Sequence, residues 1–274
     1  MIDLIRQLAP DAIAVEEQHG SGRVRHLRLT RADGVARPCV LRRAPAREHT
    51  LYETWLKDPA TGAPALLGAA PAGDGQVWLL LEGVPEEFPD FTDPTHVTTV
   101  YRHLAAMHIH FTDKGAAAPR DLEPILAEFS AAHAEKSHLL AGGPTTFVHG
   151  DYHRWNLVVT GGRIRVLDWE LAAFAHPVWD LTLLAPEEPG WDGVPRGAGA
   201  LLALRTYHEA GPLARLSWDE FLYRQRLARL YIAARWCLTH RAKAAALPPG
   251  GARLEVETYA EAEAARIRSL LTQL

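Results

Sequence analysis

Residues 149–170 read HGDYHRWNLVVTGGRIRVLDWE, and this stretch decides the fold. Leu157–Val159 and Arg163–Leu167 are short β-rich runs flanking Gly161-Gly162, and a two-residue Gly-Gly connection is a strong hairpin signal. With that pair as the turn, Thr160 faces Arg163, Leu157 faces Val166 and Asn156 faces Leu167. Cross-strand neighbours sit about 5 Å apart, which sets Asn156 beside Asp168 with Asp151 one short loop upstream. Three hard oxygen-bearing side chains converging in this way suit Mg²⁺, which takes few protein ligands and completes its octahedron with water and substrate phosphates. Asp151 is then left to act on a substrate hydroxyl, a layout for phosphoryl transfer.

Upstream of the hairpin, Ile2, Leu4, Ile5 and Leu8 predict a short helix ended by Pro10. Strands follow at Ala12–Gln18, Val24–Thr30 and Pro38–Arg43, with Asp33-Gly34 marking the second connection. The first connection, His19-Gly20-Ser21-Gly22, reads as a turn whose backbone N–H groups can face phosphate, so Gly20, Ser21 and Gly22 are candidate nucleotide contacts. Alternation along CVLRR, residues 39–43, puts Val40 and Arg42 on one face and Leu41 and Arg43 on the other. Ala46–Lys57 has helical composition and stops before Asp58-Pro59. Ala63–Pro71 is rich in proline and alanine, and Gln76–Glu82 is an apolar strand built on VWLLL.

Downstream of Gly83-Val84-Pro85 the character changes to helix. Asp93-Pro94 opens one helix, with aspartate as cap and proline in the first turn. Leu122–Leu140 predicts a second, ending at Gly142-Gly143. Ser217 and Glu220 form a capping box for a helix reaching about Ala246, and Leu254–Leu271 closes the chain. The expected fold class is α+β: an N-terminal antiparallel sheet plus helix, then a mainly helical part that carries the hairpin.

The 274 residues, 47 % of them hydrophobic, suffice for one large domain or two lobes. A formal charge of −4 and a pI near 6.4 exclude the basic face of a nucleic-acid binder. No run approaches the roughly 18 apolar residues of a membrane span, and MIDLIRQLAPDA is not a signal peptide. Cys39 and Cys237 form no CxxC, so neither a disulfide framework nor a zinc knuckle is indicated, and a reduced cytoplasmic setting is expected. Nothing in the sequence calls for an obligate protein partner.

HGDYHRWN, with LDWE placing Asp168 twelve residues after Asn156, resembles the catalytic signature of the aminoglycoside phosphotransferase and choline kinase family. These enzymes are small-molecule relatives of the eukaryotic-type protein kinases. The resemblance covers most of residues 12–185 and implies a two-lobed kinase-like fold. Its boundaries would be a nucleotide lobe at 1–82, a hinge at 83–86 and a catalytic and acceptor lobe at 87–274. It also implies Asp151 as base, Asn156 and Asp168 as Mg²⁺ ligands, and ATP or GTP as donor.

The third strand departs from the family, which places a phosphate-binding lysine there. The resemblance assigns that contact to Arg42, with Val40 over the nucleotide base, although Arg42 and Arg43 also fit two solvated arginines on an edge strand. The partner of the cation would be Glu48 in REHTLYETWL, with Glu53 as the alternative. Leu81–Pro85 resembles the hinge, whose backbone at Glu82 and Val84 would meet the purine edge, while Leu167 would floor the base. His149 and Asp180 read as structural supports of the catalytic segment, and Trp155 as a packing residue. His153 either reaches the acceptor or faces solvent.

The expected activity is transfer of a γ-phosphoryl group to a hydroxyl of a small molecule, first of all an antibiotic. Metabolic kinases of the choline, homoserine or methylthioribose type are the near alternative. A zinc hydrolase built on His149-x-Asp151-x-His153 with His176 or His208, and a binding-only pseudokinase, are the remote ones. Two acceptor-binding sets conflict: Glu187, Glu188 and Asp192 suit a polycation, whereas Arg224, Tyr231 and Arg235 share a helical face suited to a neutral or anionic acceptor.

Overall fold

β1 (Ala12–Ser21), β2 (Val24–Arg31), β3 (Ala36–Pro45), β4 (Leu66–Gly73) and β5 (Gln76–Glu82) form one antiparallel sheet in the order β1-β2-β3-β5-β4. This computed structural model describes residues 2–21, 23–85, 87–117, 122–182 and 198–274. They pack as two compact units, Met1–His103 with Asp151–Ala172 and Leu104–Gly150 with Ala173–Leu274.

In the first unit, alternation along the strands explains which residues lie inside. Leu27 and Leu29 of β2 and Cys39 and Leu41 of β3 join Ile5 and Leu8 of α1 (Ile2–Leu8) in one core. The opposite parity of β3, Val40 and Arg42, is only partly buried and is left for chemistry. VWLLL has no polar alternation because β5 runs between β3 and β4, with Leu79, Leu80 and Leu81 all buried.

The first connection corrects the expected four-residue turn. Ser21 pairs with Val24, Gly20 with Arg25 and His19 with His26, so only two residues join the strands. The cross-strand imidazoles of His19 and His26 stack with centroids 4.1 Å apart. After β3, α2 (Ala46–Leu51) widens into a π-helical turn at Tyr52–Leu56, which together fill the helix expected at 46–57.

The hairpin itself is β7 (Leu157–Thr160) and β8 (Arg163–Val166), in the four-pair register the Gly-Gly turn demands. Gly161 and Gly162 have φ of 56° and 74°, the left-handed pair of a type I′ turn. The hairpin is anchored away from its turn. Val166 N–H donates to the Gly62 carbonyl at 3.0 Å, Val159 N–H to that of Glu87 at 2.8 Å, and the Arg165 guanidinium binds Gly62, Ala63 and Glu82. Gly62 sits at φ 69°, and a Cβ there would meet the Ile164 carbonyl oxygen at 2.8 Å, so the close approach requires glycine.

The second unit is mainly helical. α3 (Pro94–His110) enters it, and α7 (Ala198–Ala210), α8 (Trp218–Ala246) and α9 (Gly251–Leu271) make up its C-terminal part. Ser217 Oγ accepts the Glu220 N–H at 3.2 Å, the expected cap of α8. A short ladder joins β6 (Thr146–Val148) to β9 (Ala173–Ala175). The single helix expected over 122–140 is instead three pieces, α4 (Leu122–Ala127), α5 (Ala131–Ala134) and α6 (His138–Ala141). Ser130 is the break: its backbone is extended and its hydroxyl pairs with His133 Nδ1 at 2.7 Å, a local bond that competes with helix continuation. Among the described residues no helix is long and apolar enough to cross a membrane.

Candidate active site

Between β6 and β7 the chain makes one 3₁₀ turn at Arg154–Asn156, and that turn draws Asn156 back onto Asp151. Asn156 Nδ2 lies 3.0 Å from the Asp151 carbonyl oxygen and 3.2 Å from its carboxylate Oδ2. With its amide nitrogen given to Asp151, the oxygen end of Asn156 is the part able to face a cation. His153 caps the turn, its Nδ1 accepting the Trp155 N–H at 3.2 Å, and its Nε2 lies 3.3 Å from Asp151 Oδ2. Trp155, expected to pack, is instead 47 % exposed: it meets Phe88 edge-on and carries the Arg154 guanidinium over its ring.

Leu167 N–H donates to the Asn156 carbonyl at 2.8 Å, continuing the ladder to the doorstep of Asp168. There the backbone turns sharply, with Asp168 at φ 61°, a left-handed conformation that aspartate tolerates better than most residues. Trp169 is fully buried and its indole N–H donates to the Val166 carbonyl at 2.8 Å, which pins the turn.

Arg42 reaches Asp168 across 126 positions of sequence. Its guanidinium forks, one nitrogen 3.0 Å from Asp168 Oδ1 and the other 2.8 Å from Glu48 Oε2. Glu53 faces His49 instead, so the helix offers Glu48 as the partner. Arg43 lies on the opposite parity, near the Ala72 carbonyl and Asp74. Burial works against the charge of Arg42, but Glu48 and Asp168 outweigh it and hold its pKa above the ordinary value. Burial is also the largest influence on Glu48, whose carboxyl rises to about 7 despite the cation beside it. Of this pair Arg42 is the permanent charge and Glu48 the group that gives way.

Oxygens of Glu48, Asp168 and Glu170 come within 4.8 Å of one another, the one grouping of three potential metal ligands among the described residues. Glu170 was not singled out in the sequence, although the D-W-E spacing around a buried tryptophan carries the signal. A cavity of about 460 Å³ is lined by Arg23, Arg42, Asp168 and Glu170 among others. The donors of this group are hard carboxylate oxygens, which fit Mg²⁺ and not a soft transition metal.

Other nucleotide candidates are less well placed. The Glu82 N–H is taken by the Ala65 carbonyl at 2.9 Å and its side chain by Arg165, which leaves only its carbonyl for a purine. Val40, Val84 and Leu167 are partly buried. Gly20 and Ser21 lie in the β1–β2 ladder, so fewer of their backbone groups are open than a free turn would offer, and Gly22 lies outside the described residues.

In the second unit Asp180 is wholly buried and accepts N–H groups from His149 at 2.8 Å and Gly150 at 2.7 Å. His108 Nε2 lies 3.1 Å away, its Nδ1 paired with the Tyr207 hydroxyl at 2.6 Å. These bonds hold the two residues that precede Asp151 in the chain. The two further histidines of the zinc alternative are engaged elsewhere: His208 is bonded to the Leu216 carbonyl, and His176 is buried and caps a 3₁₀ turn. Burial first, then Arg224 and His108, lower His176 to about 3, so it is neutral.

The arginine-aromatic stripe of α8 is not an open face. Arg224 is spent on Glu220 at 2.6 Å, the Leu139 carbonyl at 3.1 Å and His176 at 3.4 Å. Tyr231 is buried against Trp179 with centroids 5.2 Å apart, while Arg235 is exposed. Helical spacing put them on one side of α8, but neighbouring segments cover most of it. Glu187, Glu188 and Asp192 lie outside the described residues.

An antiparallel sheet carrying an Arg–Glu pair, a hairpin that ends on Asp168 and a mainly helical unit are the parts of a protein-kinase-like fold. A family model described as the phosphotransferase enzyme family matches residues 30–221, and the chain belongs to that family. No curated protein matches the sequence. Among solved structures, macrolide 2'-phosphotransferase MphH from Brachybacterium faecium is 18 % identical, with a TM-score of 0.58 and 97 % of both chains covered. Aminoglycoside phosphotransferase APH(4)-Ia is 12 % identical at a TM-score of 0.63, covering 99 % of this chain and 97 % of that one. A choline/ethanolamine kinase family protein from Mesorhizobium loti is 18 % identical at 0.61, covering 94 % and 88 %. Identities this low establish a shared fold.

Proposed function

We propose that this phosphotransferase moves the γ-phosphoryl group of ATP or GTP, with Mg²⁺, onto a hydroxyl of a small molecule, and that the acceptor is an antibiotic. One observation carries the reading: Asp151 is clamped by Asn156 within a single turn, at the head of a hairpin that ends on Asp168 and its Arg42–Glu48 partners. In this reading Asp151 orients the acceptor hydroxyl and takes its proton. Arg42, kept charged and partly buried, leaves Asp168 to hold the triphosphate in the forked geometry available to a guanidinium. Asn156 and Asp168 hold the metal, with Glu170 within reach. Bound there, magnesium would supply charge neutralisation between the phosphate oxygens. Residues 1–82 serve as the nucleotide lobe, 83–86 as the hinge and 87–274 as the acceptor side.

The antibiotic acceptor is supported by the macrolide and aminoglycoside phosphotransferases among the structural relatives. One of these is described as a ternary complex with AMP-PNP and hygromycin B. The choline/ethanolamine kinase relative supports a metabolic acceptor as the second reading. With Arg224 engaged internally, the case for an anionic acceptor is withdrawn. A nucleoside triphosphate consumption screen across macrolides, aminoglycosides and choline, with ATP and GTP in parallel and Mg²⁺ present or chelated, tests this. Antibiotic-dependent, Mg²⁺-dependent consumption is expected; consumption with choline alone would favour the metabolic reading, and none with any acceptor would overturn both.

A further inference from the structure

We infer that His153 is a positioning residue that holds the Asp151 carboxylate through a single neutral tautomer, and not a contact for the acceptor. The inference deepens the proposed function and rests on Asp151 being the base. Nδ1 of His153 accepts the Trp155 N–H at 3.2 Å, so that nitrogen presents its lone pair. In the neutral ring the hydrogen then sits on Nε2, which lies 3.3 Å from Asp151 Oδ2 and points a donor at it.

Asn156 Nδ2 is also 3.3 Å from the same ring nitrogen. With Nε2 protonated the two groups are both donors, so Asn156 gives its hydrogens to the Asp151 carbonyl and to Oδ2. Oδ2 therefore has the Asn156 amide at 3.2 Å and His153 Nε2 at 3.3 Å, and turning the carboxylate would give up both contacts. Exposure agrees: the His153 side chain is 16 % exposed against 33 % for Asp151, so the carboxylate is the more open of the two. The backbone amide of Trp155 thus selects the tautomer, and the tautomer orients the base.

Two substitutions separate the halves of this device. Gln can reproduce the Nε2 donor to Asp151 while losing the cap, whereas Asn can reproduce the cap acceptor while losing the donor. With a macrolide, hygromycin B and choline as acceptor probes, His153→Ala should lower kcat about tenfold to a hundredfold. AMP-PNP affinity and acceptor KM should stay within about twofold, which is the split expected for a group acting on the base alone. His153→Gln should recover most of kcat and His153→Asn little of it. A raised acceptor KM at unchanged kcat, or equal rescue by Asn and Gln, would overturn the inference.

Imidazole ¹⁵N spectra of the whole chain in mildly alkaline buffer, with His153→Gln for assignment, read the tautomer without any turnover. Expected are a protonated Nε2 and a bare Nδ1, with Asp151→Asn shifting the Nε2 signal. A protonated Nδ1, or indifference to Asp151→Asn, would refute the inference. Failure of the wild-type enzyme to use any acceptor would instead count against the proposed function, and the spectra would still decide the tautomer.

Discussion

Asp168 and Asp180 are the same residue twelve positions apart, set in opposite surroundings. The Asp168 side chain is 42 % exposed, its backbone is left-handed, and its partner is the Arg42 guanidinium. The Asp180 side chain is fully buried and saturated by backbone N–H groups and a histidine. A strained, open carboxylate is available to a ligand; a buried, saturated one can only organise its neighbours. Under the proposed function the contrast divides residues that act from residues that hold, and it can be broken experimentally.

The largest effect is expected on the acting side. Asp151→Ala should cut transfer by about 10²–10⁴ while AMP-PNP still binds within a few-fold of wild type. Single-turnover assays near the wild-type rate would remove Asp151 as the base. Asp168→Ala should abolish transfer and weaken Mg-nucleotide binding at little cost in unfolding midpoint. Asp180→Ala should instead cost on the order of 3 kcal/mol, because His149, Gly150 and His108 would lose a buried acceptor. Denaturant titration and nucleotide calorimetry on the two variants would show the split, and a normal affinity in Asp168→Ala would sink the metal assignment.

The two arginines of β3 sharpen the same division. Arg42→Ala should lose most activity and Arg42→Lys keep a measurable part, since lysine preserves charge without the fork. Arg43→Ala should be nearly silent. The reverse ranking would mean that the wrong parity of the strand faces the phosphates.

His176 extends the comparison to pH. Its folded pKa near 3 lies below the ordinary 6.5, because burial, Arg224 and His108 disfavour the imidazolium. The stability it contributes is therefore present above about pH 6.5 and is lost as pH falls toward 3. At pH 5 the loss should be about 2 kcal/mol relative to neutral pH. His176→Asn, which keeps a cap acceptor, should flatten this part of the stability curve. An equally steep acid limb in the variant would place its origin elsewhere.

The smallest effects are expected on α8. Arg224→Ala should cost about 1–2 kcal/mol through its lost bonds to Glu220 and the Leu139 carbonyl. Arg235→Ala, on an exposed position, should stay within about 0.5 kcal/mol and leave acceptor KM unchanged. A raised acceptor KM in Arg235→Ala would return this residue to the acceptor side.

Much of the chain was legible where its signals are local. Gly161-Gly162 set the hairpin register, the parity of CVLRR separated Arg42 from Arg43, and capping residues marked the starts of α3 and α8. Less local features escaped. Ser130 broke a run that composition alone would make one helix, and the first hairpin closed more tightly than its two glycines suggested. Trp155, expected as a packing residue, packs on Phe88 and Arg154 while half exposed, and Glu170 came into the site beside a tryptophan that went into the core.

By itself the sequence determined what backbone geometry can carry over a few residues: a Gly-Gly hairpin running from Asn156 to Asp168, with Asp151 a short loop upstream, and the strand parity that parts Arg42 from Arg43. Tertiary structure alone decided which distant groups meet and which faces are covered. Arg42 joins Asp168 across 126 positions, Glu48 and not Glu53 completes the fork, and the arginine stripe of α8 is consumed by Glu220, Leu139 and His176. The reason is physical. Turn and strand periodicity act through bonded neighbours, whereas burial and ion pairing depend on what packs against a side chain, which no local pattern records.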